Sequence, residues 1–220
     1  MIMRGKFEKI LNELNESLLE IGELIVEQFD KSEKVLETKD TELAKLIMED
    51  DDKIDFLKEE IEYKCVRLIA TQTPLASDLR KLFTTIKIIQ DLERIGDYAV
   101  DLAKASMYIT ENENMDLDIL DYFFTVIKEI VREVIEAYIN NDKKKAIEIY
   151  EKDEAIDKKY YDVFTQIINK MNEGKITNNL AVQTLFVIKY FERTGDHINN
   201  ICENIMYLKS GEFFKRELNN

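Results

Sequence analysis

The sequence predicts an all-α protein of two tandem three-helix bundles, six long antiparallel helices related by an internal pseudo-twofold repeat. Three observations carry that prediction. Apolar residues recur at three- and four-residue spacing along almost the whole chain. Helix breakers are scarce, with one Pro and six Gly in 220 residues, while 35% of positions are charged. Two short acidic motifs each occur twice, in the same order in the two halves.

The first helix is expected over 4–37, where Phe7, Ile10, Leu11, Leu14, Leu18, Ile21, Ile25 and Phe29 line one face. Asp40 and Thr41 give an N-cap signal for a second helix reaching Thr71. Thr73-Pro74 marks the next corner, with Ser77 as the expected cap of a third helix over 78–109. The polar segment 110–118 (TENENMDLD) is the longest break and reads as the linker. A fourth helix follows over 120–140, and Asn141-Asp142 turns the chain into a fifth over 143–171. Gly174 closes that helix. The sixth spans 178–209, and Gly211 precedes a short tail.

Glu93-Arg94-Ile95-Gly96-Asp97 in the third helix reappears as Glu192-Arg193-Thr194-Gly195-Asp196 in the sixth. Asp51-Asp52-Lys53-Ile54-Asp55 in the second is echoed by Asp153-Glu154-Ala155-Ile156-Asp157 in the fifth. This duplication divides the chain into repeats at 1–112 and 113–220.

A net charge of −14 argues against nucleic acid, whose phosphates it would repel, and suits cations or a basic patch on a partner. No run approaches 18 uninterrupted apolar residues, and Met1–Phe7 contains no apolar run of signal-peptide length. Cys65 and Cys202 stand alone without a CxxC, as reduced, buried thiols of a cytoplasmic protein would.

All four repeated pieces share one form, an acid followed four residues later by Asp. That spacing puts both carboxylates on one helix face, about 6 Å apart at Cβ. Glu93 falls on the apolar stripe through Leu79, Leu82, Ile86, Ile89, Gly96, Val100 and Ala103. Glu192 repeats this on the stripe through Ala181, Leu185, Ile188, Gly195, Asn199 and Cys202. In the fifth helix Asp153 and Asp157 share a seam with Tyr150, Tyr160, Phe164, Ile167 and Met171, whereas Asp51 and Asp55 flank theirs. Asp55 lies 19 residues before Pro74 and Glu93 19 after it, and Asp51 and Asp97 are each 23 away. Folding the second hairpin beside Gly174 likewise matches Asp157 with Glu192 and Asp153 with Asp196.

Four carboxylates at one helix seam require protons, Arg or Lys partners, or metal cations. Oxygen-only donors suit Mg²⁺, Ca²⁺, Mn²⁺ or iron rather than structural zinc. The alternative is a metal-free helical scaffold whose acids form internal ion-pair networks, with Arg94 and Arg193 as nearby cations one residue off the seam. A ferritin-like di-iron oxidase is excluded, because it needs two Glu-x-x-His motifs and the chain has one histidine, His197. No Ser/His/Asp set, nucleophilic Cys context or phosphate-cradling Gly loop is present, so the protein is expected to bind rather than catalyse.

The segments Pro74-Leu75-Ala76-Ser77-Asp78-Leu79-Arg80, Asp91-Leu92-Glu93-Arg94-Ile95-Gly96-Asp97 and Glu192-Arg193-Thr194-Gly195-Asp196-His197-Ile198-Asn199-Asn200-Ile201 resemble those of the PhoU family of phosphate-transport regulators. The resemblance covers essentially the whole chain. It implies two side-by-side three-helix bundles whose E(D)xxxD motifs hold divalent or trivalent metal ions, as multinuclear iron clusters in some members. It implies a negative regulator of phosphate uptake and phosphate-starvation signalling, located in the cytoplasm and peripheral to the membrane through its partners. Those partners would be the ATPase of the phosphate ABC transporter and a membrane sensor histidine kinase, and a homodimer is compatible with it. Carried over by position, the ligands are Asp51, Asp55, Glu93, Asp97 and Asp101 for one cluster and Asp153, Asp157, Glu192, Asp196 and Asn200 for the other. The match of Asp101 to Asn200 gives the two sites different charge.

Overall fold

The computed structural model describes residues 2–210, so Met1, Gly211 and the tail after it lie outside the described residues. It contains six helices: α1 (Ile2–Thr38), α2 (Thr41–Thr71), α3 (Ala76–Met107), α4 (Leu117–Ile139), α5 (Lys143–Asn172) and α6 (Asn178–Ser210). No strand is present among the described residues. α1, α2 and α3 pack into one bundle and α4, α5 and α6 into the other, with α3 against α6 and α1 against α4 between them.

The turns follow local chemistry. Asp40 caps α2, its carboxylate accepting from the backbone N–H of Glu42 and Leu43 at 3.0 Å each. Asp142 caps α5 by accepting from Lys145 N at 3.0 Å, and Gly174 takes the left-handed φ of +67° that ends it. The corner at Pro74 differs from the sequence expectation. α3 begins at Ala76 with Leu75 as its N-cap residue, and the Asp78 carboxylate accepts from Leu75 N at 3.3 Å. Ser77 therefore sits inside the first turn instead of capping it. The linker is anchored by Lys39, whose ammonium donates to the carbonyls of Thr110 at 2.8 Å, Glu111 at 3.3 Å and Glu113.

Packing explains which faces are buried. α1 buries Phe7, Leu14, Leu18, Ile21, Ile25 and Phe29 along the expected stripe. α3 has far more than one stripe inside, because α1, α2 and α6 surround its C-terminal half: Ile88, Leu92, Ile95, Tyr98, Ala99 and Leu102 are buried alongside Ile89, Gly96 and Ala103. On α5 the buried line is Ala146, Ile149, Asp153, Ile156, Val163 and Ile167, whereas Phe164 from the expected seam is 38% exposed. The core runs unbroken through both bundles. Phe191 of α6 fills its centre, stacked on Phe123 at 5.1 Å, edge-on to Phe124 at 4.8 Å and 6.2 Å from Phe29 of α1. Cys65 and Cys202 are buried and free, and burial pushes the Cys65 thiol up to about 12 and that of Cys202 up as well.

Candidate functional site

The first acid group lies across the α2–α3 hairpin. Burial raises the Asp51 carboxyl to about 6; a hydrogen bond from Gln28 opposes this, and the charges of Asp97, Asp55 and Glu93 add to it. Asp55 is raised by burial and then by Glu93, with Lys58 opposing. The four residues matched about Pro74 thus stand within electrostatic range of one another. Their charge is partly met by the protein: Lys58 Nζ lies 2.7 Å from Glu93 Oε1, and Arg94 reaches Asp97 at 2.7 Å and Glu93 at 3.4 Å. Gln28, from α1, donates its Nε2 to Asp51 Oδ1 at 3.3 Å.

The second group repeats this across α5 and α6. Asp153 is only 9% exposed. Asp196 is raised by burial, then by Glu192 and Asp157, with Lys189 opposing. Lys189 Nζ sits 2.6 Å from Glu192 Oε2, and Asn199 Nδ2 donates to Asp153 Oδ2. Arg193 does not join the acids; its guanidinium lies 5.4 Å over the Tyr98 ring in the other bundle.

A helical glycine makes room in each group. A Cβ on Gly195 would stand 2.5 Å from Asp153 Oδ1. One on Gly96 would meet Ile54 Cδ1 at 3.1 Å, Gln28 Oε1 at 3.4 Å and Asp51 Oδ1 at 3.6 Å. At Gly195 the missing side chain lets the buried Asp153 press against the α6 backbone, and at Gly96 it makes room for Ile54, with the half-buried Asp51 at ordinary contact distance.

Asp101 and Asn200 are placed elsewhere, on the α3–α6 contact. Asp101 pairs with Lys104 at 3.3 Å and acts on the Tyr98 and Tyr190 phenols. Asn200 donates to Asp91 Oδ1 at 3.2 Å, the same oxygen that His197 Nδ1 meets at 2.8 Å. The side chains that sequence reasoning missed are Gln28, Lys58, Lys189 and the neighbour Asn199. Asn199 stood on the expected α6 stripe, and Gln28 is a polar break beside Ile25 and Phe29, so both carried a signal. The reach of Lys58 to α3 did not.

The donor set fits a hard cation: carboxylate oxygens, those of Asp51, Asp55 and Asp196 with raised pKa, a neutral amide and a glycine-lined wall. Among the described residues no three acid, His or Cys side chains already stand as a group able to hold a metal ion. The carboxylates are instead spread over ammonium, guanidinium and amide partners, so loading would require Lys58 and Lys189 to yield.

Fold and site together define a class: duplicated three-helix bundles, each carrying paired carboxylates on its second and third helices. The PhoU domain model matches this chain twice, over residues 18–106 and 122–205. The chain belongs to the PhoU family. It is 40% identical over 213 residues to the phosphate-specific transport system accessory protein PhoU homolog of Clostridium acetobutylicum, covering 95% of this chain and 96% of that one. The corresponding Streptococcus pneumoniae homolog is 36% identical over 211 residues, covering 96% of this chain and 98% of its own length. The crystal structure of the phosphate transport system regulatory protein PhoU from S. pneumoniae superposes with a TM-score of 0.88 at 34% identity, over 96% of this chain and all of the other. PhoU from Pseudomonas aeruginosa gives 0.86 at 28%, over 94% of this chain and all of the other.

Proposed function

We propose that this chain is a regulatory adaptor that restrains phosphate uptake and phosphate-starvation signalling, and that it works through cations held at its two acid groups. The relatives are named as accessory and regulatory proteins of phosphate-specific transport, which supports the first part. One observation carries the second: Asp51, raised to about 6 chiefly by burial, lies within electrostatic range of Asp97, Asp55 and Glu93, a concentration of carboxylates whose negative charge a cation would neutralise. Asp51, Asp55, Glu93 and Asp97 would hold ions in the first bundle, and Asp153, Asp157, Glu192 and Asp196 in the second. A divalent or trivalent ion such as Mg²⁺, Mn²⁺, Ca²⁺ or iron, alone or clustered, would stiffen each hairpin. The regulated partners are the ATPase of the phosphate ABC transporter and a membrane sensor histidine kinase, met at the cytoplasmic face. No helix among the described residues is long and apolar enough to cross a membrane, so membrane proximity would come from those partners.

Elemental analysis of untagged protein purified without chelator tests the cation, and phosphate uptake by cells lacking the chain tests the role. Metal co-purifies with the wild type and is lost from Asp97→Ala, Asp196→Ala; uptake rises in phosphate-replete cells without the chain and is restored by the wild type. Metal-free protein, or unchanged uptake, rejects the respective half. The ion pairs Lys58–Glu93 and Lys189–Glu192 favour a second reading, a metal-free scaffold neutralised internally. It predicts no change in melting temperature on chelation, whereas an ion bound only by the native state raises it by mass action.

A further inference from the structure

The two bundles reach the same arrangement with different residues. In the first, Gln28 of α1 donates its amide N–H to Asp51, the first acid of the repeated motif on the middle helix. In the second, Asn199 of α6 donates its amide N–H to Asp153, the equivalent acid. The register between repeats follows from a charge-swapped pair beside each site. Lys31 of α1 bonds Asp50 of α2, and Glu133 of α4 bonds Lys152 of α5, so Lys31 corresponds to Glu133. Gln28, three residues before Lys31, therefore corresponds to Ile130, and Asn199, four after Gly195, corresponds to Val100, four after Gly96. Ile130 and Val100 are both buried. Each bundle thus carries one amide and one aliphatic residue at these two positions, exchanged between helices.

Both amides are half-satisfied in the same sense. Gln28 is 2% exposed, and its Oε1 has no hydrogen-bond partner among the described residues; neither has Asn199 Oδ1. A buried carbonyl without a donor is costly, and exchanging O and N in either amide would set it against a carboxylate. Gln28 Oε1 and Asp51 Oδ1 converge on the space left by the missing side chain of Gly96.

The geometry points to Gln28 and Asn199 as additional ligands of the two cation sites, each supplying a neutral carbonyl oxygen beside Asp51 and Asp153. Without an ion, the amide N–H₂ holds the carboxylate in place while the carbonyl waits without a donor. With a hard cation, that oxygen gains the electropositive partner it lacks. This rests on the cation reading above and assigns to it residues outside the repeated acidic motifs. The sites differ as a result in which helix they fasten: the first ties α1 to the α2–α3 hairpin, and the second lies wholly within α5 and α6.

The test is calorimetric titration of metal-stripped, full-length protein with Mn²⁺, one site at a time. Gln28→Ile and Gln28→Glu are read in an Asp196→Ala background, and Asn199→Val in an Asp97→Ala background; each aliphatic replacement is the residue the other bundle uses. Gln28→Ile and Asn199→Val are expected to weaken Mn²⁺ binding about 10-fold or more, since losing even a residue behind a metal's ligands costs about that much. Gln28→Glu, which keeps an oxygen and loses the N–H₂, retains the affinity. Circular dichroism of the stripped variants checks that they are folded. Wild-type affinity in both aliphatic variants overturns the assignment, as does loss of binding in folded Gln28→Glu, which would place the role in the N–H₂ group. Absence of Mn²⁺ binding in the wild type rejects the cation reading along with it.

Discussion

A half-buried acid with three carboxylates nearby makes stability depend on pH in an unusual direction. Asp51 has a folded value near 6 against an ordinary 3.8, so between those limits the native state binds the extra proton. Stability from this group is present at the acid end and is lost as pH rises through about 6. Asp55 and Asp196 are raised too and act in the same sense. Asp50, held low by Lys31 and then Lys53, works oppositely, but its contribution is lost only as pH falls below 3.8. Metal-stripped protein should therefore melt at higher temperature at pH 5 than at pH 7, as read by scanning calorimetry. Asp51→Asn should flatten that trend, and an unchanged slope would remove Asp51 as its source. Gly195 gives a second prediction at this scale. Alanine gains about 1 kcal/mol of helix propensity, but its Cβ must displace the Asp153 carboxylate from Asn199, at about 1–3 kcal/mol. Gly195→Ala should come out neutral to about 2 kcal/mol destabilised by denaturant titration, with weaker cation binding.

Helix ends and helix contacts set the next scale. The Asp40 carboxylate satisfies two donors at the start of α2, so Asp40→Ala should cost about 1 kcal/mol, visible as a lower denaturant midpoint at constant slope. Gly22 lets α1 approach α4: an added Cβ would stand 2.4 Å from Ile135 Cδ1, a side chain held in the core. Overpacking of about 1–3 kcal/mol outweighs the propensity gain, so Gly22→Ala should destabilise where an exposed Gly→Ala would not. Flanking this contact, Lys128 pairs with Asp30 and Glu33, and Arg132 with Glu23. The exposed Arg132–Glu23 pair contributes little, whereas Lys128 is partly covered where it meets Glu33.

For the molecule as a whole, the question is whether two repeats make two folding units. Phe191 of α6 touches Phe29 of α1 in the other bundle, and the Tyr138 hydroxyl of α4 meets Thr85 Oγ1 of α3 at 2.6 Å. Separating the halves would expose this shared core. The intact protein should unfold in one transition, and Phe191→Ala should lower its stability by about 3–5 kcal/mol while keeping that transition single. Two resolved transitions in the calorimeter would show that each bundle stands alone.

Helix number and the level at which Asp51, Asp55, Glu93 and Asp97 face one another across α2 and α3 were legible in the sequence, because periodicity and residue counts about Pro74 are one-dimensional properties. The acidic motifs were legible for the same reason: a spacing of four fixes a shared helix face whatever the neighbours do. Only tertiary packing decided what surrounds those acids. The burial of α3 on several sides, the crossing of Gln28 from α1 to Asp51, the partnering of Glu93 by Lys58 and the turn of Asn200 toward Asp91 depend on which helices lie adjacent and at what rotation. A rotation of one residue, about 100°, separates Asn199 at the acids from Asn200 at the interface between bundles. No spacing rule along the chain carries that angle; it is set by how six apolar stripes share one core.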